Sequence, residues 1–334
     1  MEKIVAAIGV IATLVLLGFG TWYFSNSPMA YSPKPESITV GAPAIETNAI
    51  IYVADDLGYF KKNGLNVTFK TYDSGGAAVH GLLRNETELA LASEFVMVNN
   101  ILKNGEVRTF GNIDKFENMF LIARKDRGIG SVFDLRNRRI GVPRGTIADF
   151  YLGRYLNLHN MELSDVTLVN IRPDNSSDAL AAGDVDAVVT WHPYLDEISN
   201  RYGDRVIVCP IQSSQLTYWN IISRTDWTGL HQGTVDRFLR SVAQAEEYTT
   251  NRPQETKAIL QKKLNYTDAY MAAVWPDHQF SISLDQSLVL AMEDEGRWMI
   301  KNNLSTVKTI PNFREYIYMK GLEKMKPESV NIIR

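Results

Sequence analysis

From Ile38 to Ser223 short apolar runs of strand type alternate with amphipathic runs of helix type, joined by only a few residues, and nothing else constrains the fold as strongly. Such alternation calls for an α/β protein whose sheets are mainly parallel and flanked by helices. Strands are expected at 38–41, 66–72, 89–92, 119–124, 139–142, 166–169, 187–190 and 218–223. Helices are expected at 48–57, 77–84, 96–103, from Thr146 to Leu158, and at 177–182. From Thr234 onward the signal is helical to the end. Phe238, Val242, Ala245 and Tyr248 fall on one face there, and a second such run at 287–300 should pack Trp298 and Met299 against the first lobe.

One unit carries more chemistry than the rest. In Arg139-Ile-Gly-Val-Pro-Arg-Gly-Thr-Ile-Ala-Asp-Phe150 a strand breaks at Pro143 to Gly145, and Thr146 is placed to cap the following helix. A helix start of this kind offers free backbone N–H groups and the positive end of a dipole, which suits an anion; the rival reading is a plain cap. About forty residues on, Asp184-Val-Asp-Ala-Val-Val-Thr-Trp-His-Pro-Tyr194 repeats the scheme, a buried strand running into a polar, aromatic loop. Ligands of open α/β sheets bind beyond the carboxyl ends of strands, so Arg144, Gly145, Thr146, Thr190, Trp191 and His192 are candidates for one crevice.

Together, Val142-Pro-Arg-Gly-Thr-Ile-Ala-Asp-Phe-Tyr-Leu152 and Ala187-Val-Val-Thr-Trp-His-Pro-Tyr194 resemble the nitrate/sulfonate/taurine solute-binding proteins of ABC importers, a family that also includes thiamine-pyrimidine binders. Three more stretches extend the resemblance over nearly everything after Ser37. They are Ile38-Thr-Val-Gly-Ala-Pro-Ala, Ala54-Asp-Asp-Leu-Gly-Tyr-Phe-Lys-Lys-Asn-Gly-Leu65 and Phe280-Ser-Ile-Ser-Leu-Asp-Gln-Ser-Leu288. The chain departs from the family pattern at His192, where a glutamate is common. The resemblance implies a two-lobed periplasmic-binding-protein fold of type II. Residues 37–122 with 222–334 would form one lobe and 123–221 the other, with hinges near Ile122-Ala123 and Asn220-Ile221. It further implies capture of a small anionic or zwitterionic solute by a monomer that closes on it, then docks on a permease served by a separate ATPase.

In the first lobe the strand ends nominate Glu46 and Thr47, the turn Ser74-Gly75-Gly76, and Ser93 with Glu94; the last two match positions that line the cleft across the resembling family. Arg144 and the helix starts suit an anionic end, whereas Glu46, Glu94 and Asp149 would repel one, and a zwitterion with its amine on Glu46 or Glu94 reconciles them. Trp191, Tyr218 and Trp219 offer stacking faces for a flat or cationic solute, with simple core packing as the rival.

Composition excludes other classes. A net charge of −3 carries no nucleic-acid footprint. The single cysteine, Cys209, excludes an intrachain disulfide and a cysteine-based metal site, and a buried inert thiol is expected in its apolar run. The five histidines are scattered, no nucleophile elbow or nucleotide loop is present, and neither a catalytic residue nor a metal or cofactor is expected. The enzyme relatives of the fold, pyrimidine synthases, bring a cysteine-rich iron motif that one cysteine cannot supply. Ile4 to Phe24 is uninterrupted apolar sequence of bilayer-spanning length, and Pro28-Met29-Ala30 is a poor cleavage site. Residues 1–36 therefore read as an N-terminal anchor and proline-rich tether with the remainder outside the cytoplasm, a cleaved signal being the rival. Five Asn-X-Ser/Thr sequons, at Asn66, Asn85, Asn175, Asn265 and Asn303, are compatible with export. A membrane-tethered sensor would use the same features without transport.

Overall fold

The computed structural model describes residues 35–333, so the expected membrane anchor lies outside the described residues. Among the described residues no helix is long and apolar enough to cross a membrane. Strands β1 (Glu36–Ala42) and β2 (Leu65–Thr71) pair in parallel with Ile38 opposite Val67, and β3 (Leu89–Ser93) joins β1 in the same sense. β3, Leu-Ala-Leu-Ala-Ser, is buried along its whole length, as expected of a strand covered on both faces. The helix Ala49–Asp56 turns Ile50, Ile51, Val53 and Ala54 entirely inward.

After β4 (Val107–Phe116) the chain leaves the first sheet and builds a second from β5 (Phe120–Arg124), β6 (Arg139–Val142), β7 (Thr167–Asn170), β8 (Ala187–Thr190) and β9 (Val206–Pro210). It returns through β10 (Thr217–Arg224) and, after a run of helices, β11 (His278–Ser283). The orders are β11-β4-β10-β3-β1-β2 and β7-β6-β8-β5-β9. Each sheet keeps three parallel neighbours, β2-β1-β3 and β7-β6-β8, while β10 and β5 run antiparallel to both of their neighbours. The reason is where the chain crosses. Each crossing enters a sheet at the end where its parallel strands finish, so the strand it feeds has to run away from that end.

The crossings themselves are residues 117–119 and 211–216. Ile122-Ala123 and Asn220-Ile221, expected as hinges, are instead held within the β5 and β10 ladders, Ile122 opposite Val188 and Val208. The two crossings are stapled by one buried side chain: the Gln212 Oε1 accepts from Asn118 N–H at 2.6 Å and Met119 N–H at 2.9 Å, and its Nε2 donates to the carbonyls of Phe116 and Gln215.

The helical signal after Thr234 is interrupted by β11, which pairs with β4 at the sheet edge through His278 to Phe280 and, after an irregularity, Ser283. On the helix Gln232–Asn251 the buried face carries Val235, Phe238, Leu239, Val242 and Ala245; Phe238 stacks on Phe60 with ring centres 5.0 Å apart, and Tyr248 is only half-buried. Trp298, on the helix Gln286–Lys301, meets Phe95 beside the first sheet and also Phe150 on the helix Ile147–Leu158, so it bridges the lobes instead of packing on the first alone. A methyl group on Gly153 would come within 2.7 Å of its ring, which accounts for glycine there. Cys209 is free and half-buried on the edge strand β9, not sealed in the core.

Candidate functional site

Between the two sheets lies a cavity of about 240 Å³ at the carboxyl ends of β1, β2, β3, β6 and β8. The loop after β1 brings Glu46 and Thr47, the turn after β2 brings Ser74, Gly75 and Gly76, and the end of β3 brings Ser93. Thr146 comes from the second lobe, with Trp191 and His192 beyond β8, so nine of the thirteen nominated residues line one space. Asn118 and Met119 add the first crossing to the wall, and Thr217 adds the start of β10.

Two of these positions are helix starts with local causes. Ser74 stands in extended backbone, and its Oγ accepts from Ala77 N–H, so the helix Gly75–Leu83 begins at the cavity wall. A Cβ on Gly75 would lie 2.8 Å from Ala92 Cβ; only glycine lets that helix start approach β3. Thr146 likewise caps the helix Ile147–Leu158, its Oγ1 accepting from Ala148 N–H and donating to the Pro143 carbonyl. Both ends direct partial positive charge toward the cavity.

Four nominated residues do not line it, among them Thr190, the last residue of β8. The Arg144 guanidinium turns to Asp149, Nε to Oδ1 at 3.3 Å, while Gly145 N–H donates to the other carboxylate oxygen at 2.7 Å. Burial raises the Asp149 pKa, opposed by Gly145 and Arg144, so the arginine is engaged in compensating a buried acid. Glu94, the first residue of its helix, points beneath the floor: its Oε2 accepts from Tyr218 N–H at 3.0 Å and its Oε1 has no partner. Tyr218 is absent from the lining too, whereas Trp219 is present and donates its indole N–H to Asn48 Oδ1 at 2.8 Å.

Behind Glu46 stands a network that sequence reasoning did not find. Its Oε2 accepts from the hydroxyls of Tyr266 (3.0 Å) and Tyr270 (3.3 Å), and its Oε1 lies 3.9 Å from His278 Nε2. His278 Nδ1 is 2.6 Å from Asp114 Oδ2, both side chains being essentially inaccessible. Burial works against a charged His278, but Asp114 and Glu46 outweigh it and hold its pKa above the ordinary imidazole value. Burial, and then the charge of Glu46, hold both tyrosine hydroxyls far above their usual range, so they stay donors. Among the described residues no cluster of His, Cys, Asp or Glu is arranged to hold a metal ion.

Two six- and five-stranded sheets joined by two crossings, with a cavity walled by both, define a binding protein of the periplasmic-binding-protein fold. The NMT1/THI5-like family model matches residues 46–256, and the chain belongs to that family of solute-binding proteins. A Brucella abortus protein named as a binding protein is 23% identical over 230 residues, covering 66% of this chain and 69% of its own length. A Bacillus subtilis protein named as an aliphatic sulfonates-binding protein is 23% identical over 195 residues, 57% of this chain and 59% of its own. The alkanesulfonate-binding protein SsuA of Xanthomonas axonopodis, solved with MOPS bound, superposes with a TM-score of 0.75 at 15% identity, covering 86% of this chain and 99% of that one.

Proposed function

We propose that this chain is the extracytoplasmic solute-binding subunit of an ABC importer, which captures a small anionic or zwitterionic organic solute between its lobes and presents the closed form to a permease. It acts as a monomer, tethered to the membrane through its N-terminal segment, and catalyses no reaction. The observation that carries this reading is the composition of the cavity wall, to which both lobes and the first crossing contribute. A solute touching both lobes stabilises the closed arrangement by contacts that the open one lacks, which is the requirement for ligand-driven closure. The helix starts at Ser74–Gly76 and Thr146 supply N–H donors for an anionic group, and Glu46 supplies a counter-ion for a cationic one.

The test is a thermal-shift screen of the purified chain against taurine, alkanesulfonates, nitrate, bicarbonate, amino acids and pyrimidines. A ligand at a hundredfold its dissociation constant adds about 2.7 kcal/mol, well within detection. A selective upward shift supports solute capture. No shift with any compound removes this reading and leaves the membrane-tethered sensor.

A further inference from the structure

The charge of the solute follows from what the cavity wall contains. Among the described residues that line it, the carboxylates are Glu46 within and Asp73 at the mouth, the one imidazole is that of His192, held by Asp196 at 2.6 Å, and no lysine or arginine is present. Arg144 is turned away to Asp149, and Arg172 pairs at the mouth with Asp73 and Asp174, which leaves Glu46 as the carboxylate inside the wall. Glu46 is 2% exposed, so its carboxylate has lost nearly all its water. Two tyrosine hydroxyls on Oε2 replace that water only in part, because the imidazole near Oε1 stands 3.9 Å away and is hydrogen-bonded to Asp114, so two carboxylates face one ring.

Two further observations point the same way. Among the described residues the Asn118 Oδ1 at the wall has no partner, and as a carbonyl oxygen it can only accept, so it is matched by an N–H of a protonated amine or, more weakly, by the polarised C–H groups of a quaternary one. Aromatic faces also surround the space, from Trp191 and Tyr194 on the second lobe and Phe116, Trp219 and Tyr266 on the first. Such rings attract a cation through their quadrupoles, most strongly where water is excluded.

We infer that the solute carries a protonated or quaternary amine, held against Glu46 within this ring of aromatic side chains, and that its anionic end, at the helix starts, is the secondary determinant. This rests on the solute-capture reading and specifies the class: an organic ammonium compound, not a bare oxyanion or a simple alkanesulfonate.

The experiment is isothermal titration of the full chain with three matched probes, taurine, N,N,N-trimethyltaurine and isethionate, which share the sulfonate and differ at the other end. The two ammonium probes are expected to bind at least about tenfold tighter than isethionate, and E46Q to abolish that difference. Tyr266→Phe, which removes one donor from Glu46 without touching its charge, should keep the preference, and a melting curve of each variant separates lost folding from lost binding. Isethionate binding as tightly as taurine, a preference that survives in E46Q, or no saturable heat from either ammonium probe at millimolar concentration would overturn the inference. Solute capture itself falls only if the whole thermal-shift panel is also silent, so the two failures are distinguishable.

Discussion

Arg172 Nη2 lies 3.3 Å from Asp73 Oδ2, joining the loop after β7 in the second lobe to the turn after β2 in the first across the mouth of the cavity. Both side chains are well exposed, so the pair adds little to folding and what it adds is screened by salt. If the lobes close on a solute as proposed, a pair that joins them at the mouth is a contact of the closed form. Asp73→Ala should therefore leave the melting temperature essentially unchanged, speed solute release by a few-fold at low ionic strength, and match the parent protein in high salt. Stopped-flow dissociation at two salt concentrations checks this; identical rates at low salt would show that the pair has no part in closure.

Glu94 and Glu295 form a buried acid pair below the floor, both wholly inaccessible, on the facing helices Glu94–Ile101 and Gln286–Lys301. Three of their four carboxylate oxygens have no hydrogen-bond partner outside the pair. Burial pushes the Glu94 carboxyl up to about 8 from an ordinary 4.5, and burial together with Glu94 pushes Glu295 up as well. The unfolded chain then releases protons in a range where the folded one keeps them. Stability should fall as pH rises from about 4.5 to about 8, by roughly 1.4 kcal/mol per pH unit for each proton retained. Glu295→Gln should flatten this slope and melt above the parent protein at pH 9. Denaturant titrations across the range decide it, and an unchanged slope in the variant would exclude the pair as its source.

Trp219 should behave as two residues in one. Its ring lines the cavity, while its indole N–H satisfies Asn48 Oδ1 in a fully buried setting. Trp219→Phe keeps an aromatic face but leaves that oxygen without its donor, at a cost of about 1–3 kcal/mol. A lowered urea midpoint with solute affinity retained within a few-fold is the expected result. Asn48→Ala also loses the Nδ2 bond to the Pro43 carbonyl, so the test is the full cycle: a double variant less destabilised than the sum of the two singles ties the cost to that bond.

The sequence made the fold legible wherever local patterning and tertiary role agree. β1, β3, β6 and β8 are short apolar runs before a turn, and a cavity at the carboxyl ends of such strands is why Thr47, Ser74, Thr146 and Trp191 could be nominated without a structure. β4 escaped because a central strand there buries polar residues, Thr109, Asn112 and Asp114, which breaks the apolar pattern that strand reading depends on. β11, its partner, is a six-residue edge strand between helices, and the His278–Asp114 contact spans 164 residues of sequence. Tyr266 reaches the cavity from the end of a C-terminal helix, a placement that no local signal encodes. For Glu94 and Arg144 the sequence supplied charge at a helix start but not the direction in which the side chain turns.

Arg144 gives the sharpest contrast between charge and placement. As a cationic residue at a helix start it has the chemistry of an anion ligand, yet its guanidinium is turned to Asp149, a side chain only 4% exposed, and stays outside the cavity wall. Removing it leaves Asp149 with the Gly145 N–H, which holds the turn that presents Thr146 to the cavity. Arg144→Ala is therefore expected to change solute affinity by less than about twofold and to lower stability by about 1 kcal/mol, through a partly buried ion pair that retains one hydrogen bond. Asp149→Ala should cost more in binding, because it frees the Gly145 turn and with it the N-terminus of the helix Ile147–Leu158. Calorimetric affinities for the two variants test the order. Tighter dependence on Arg144 than on Asp149 would return the guanidinium to the solute's side of the cleft.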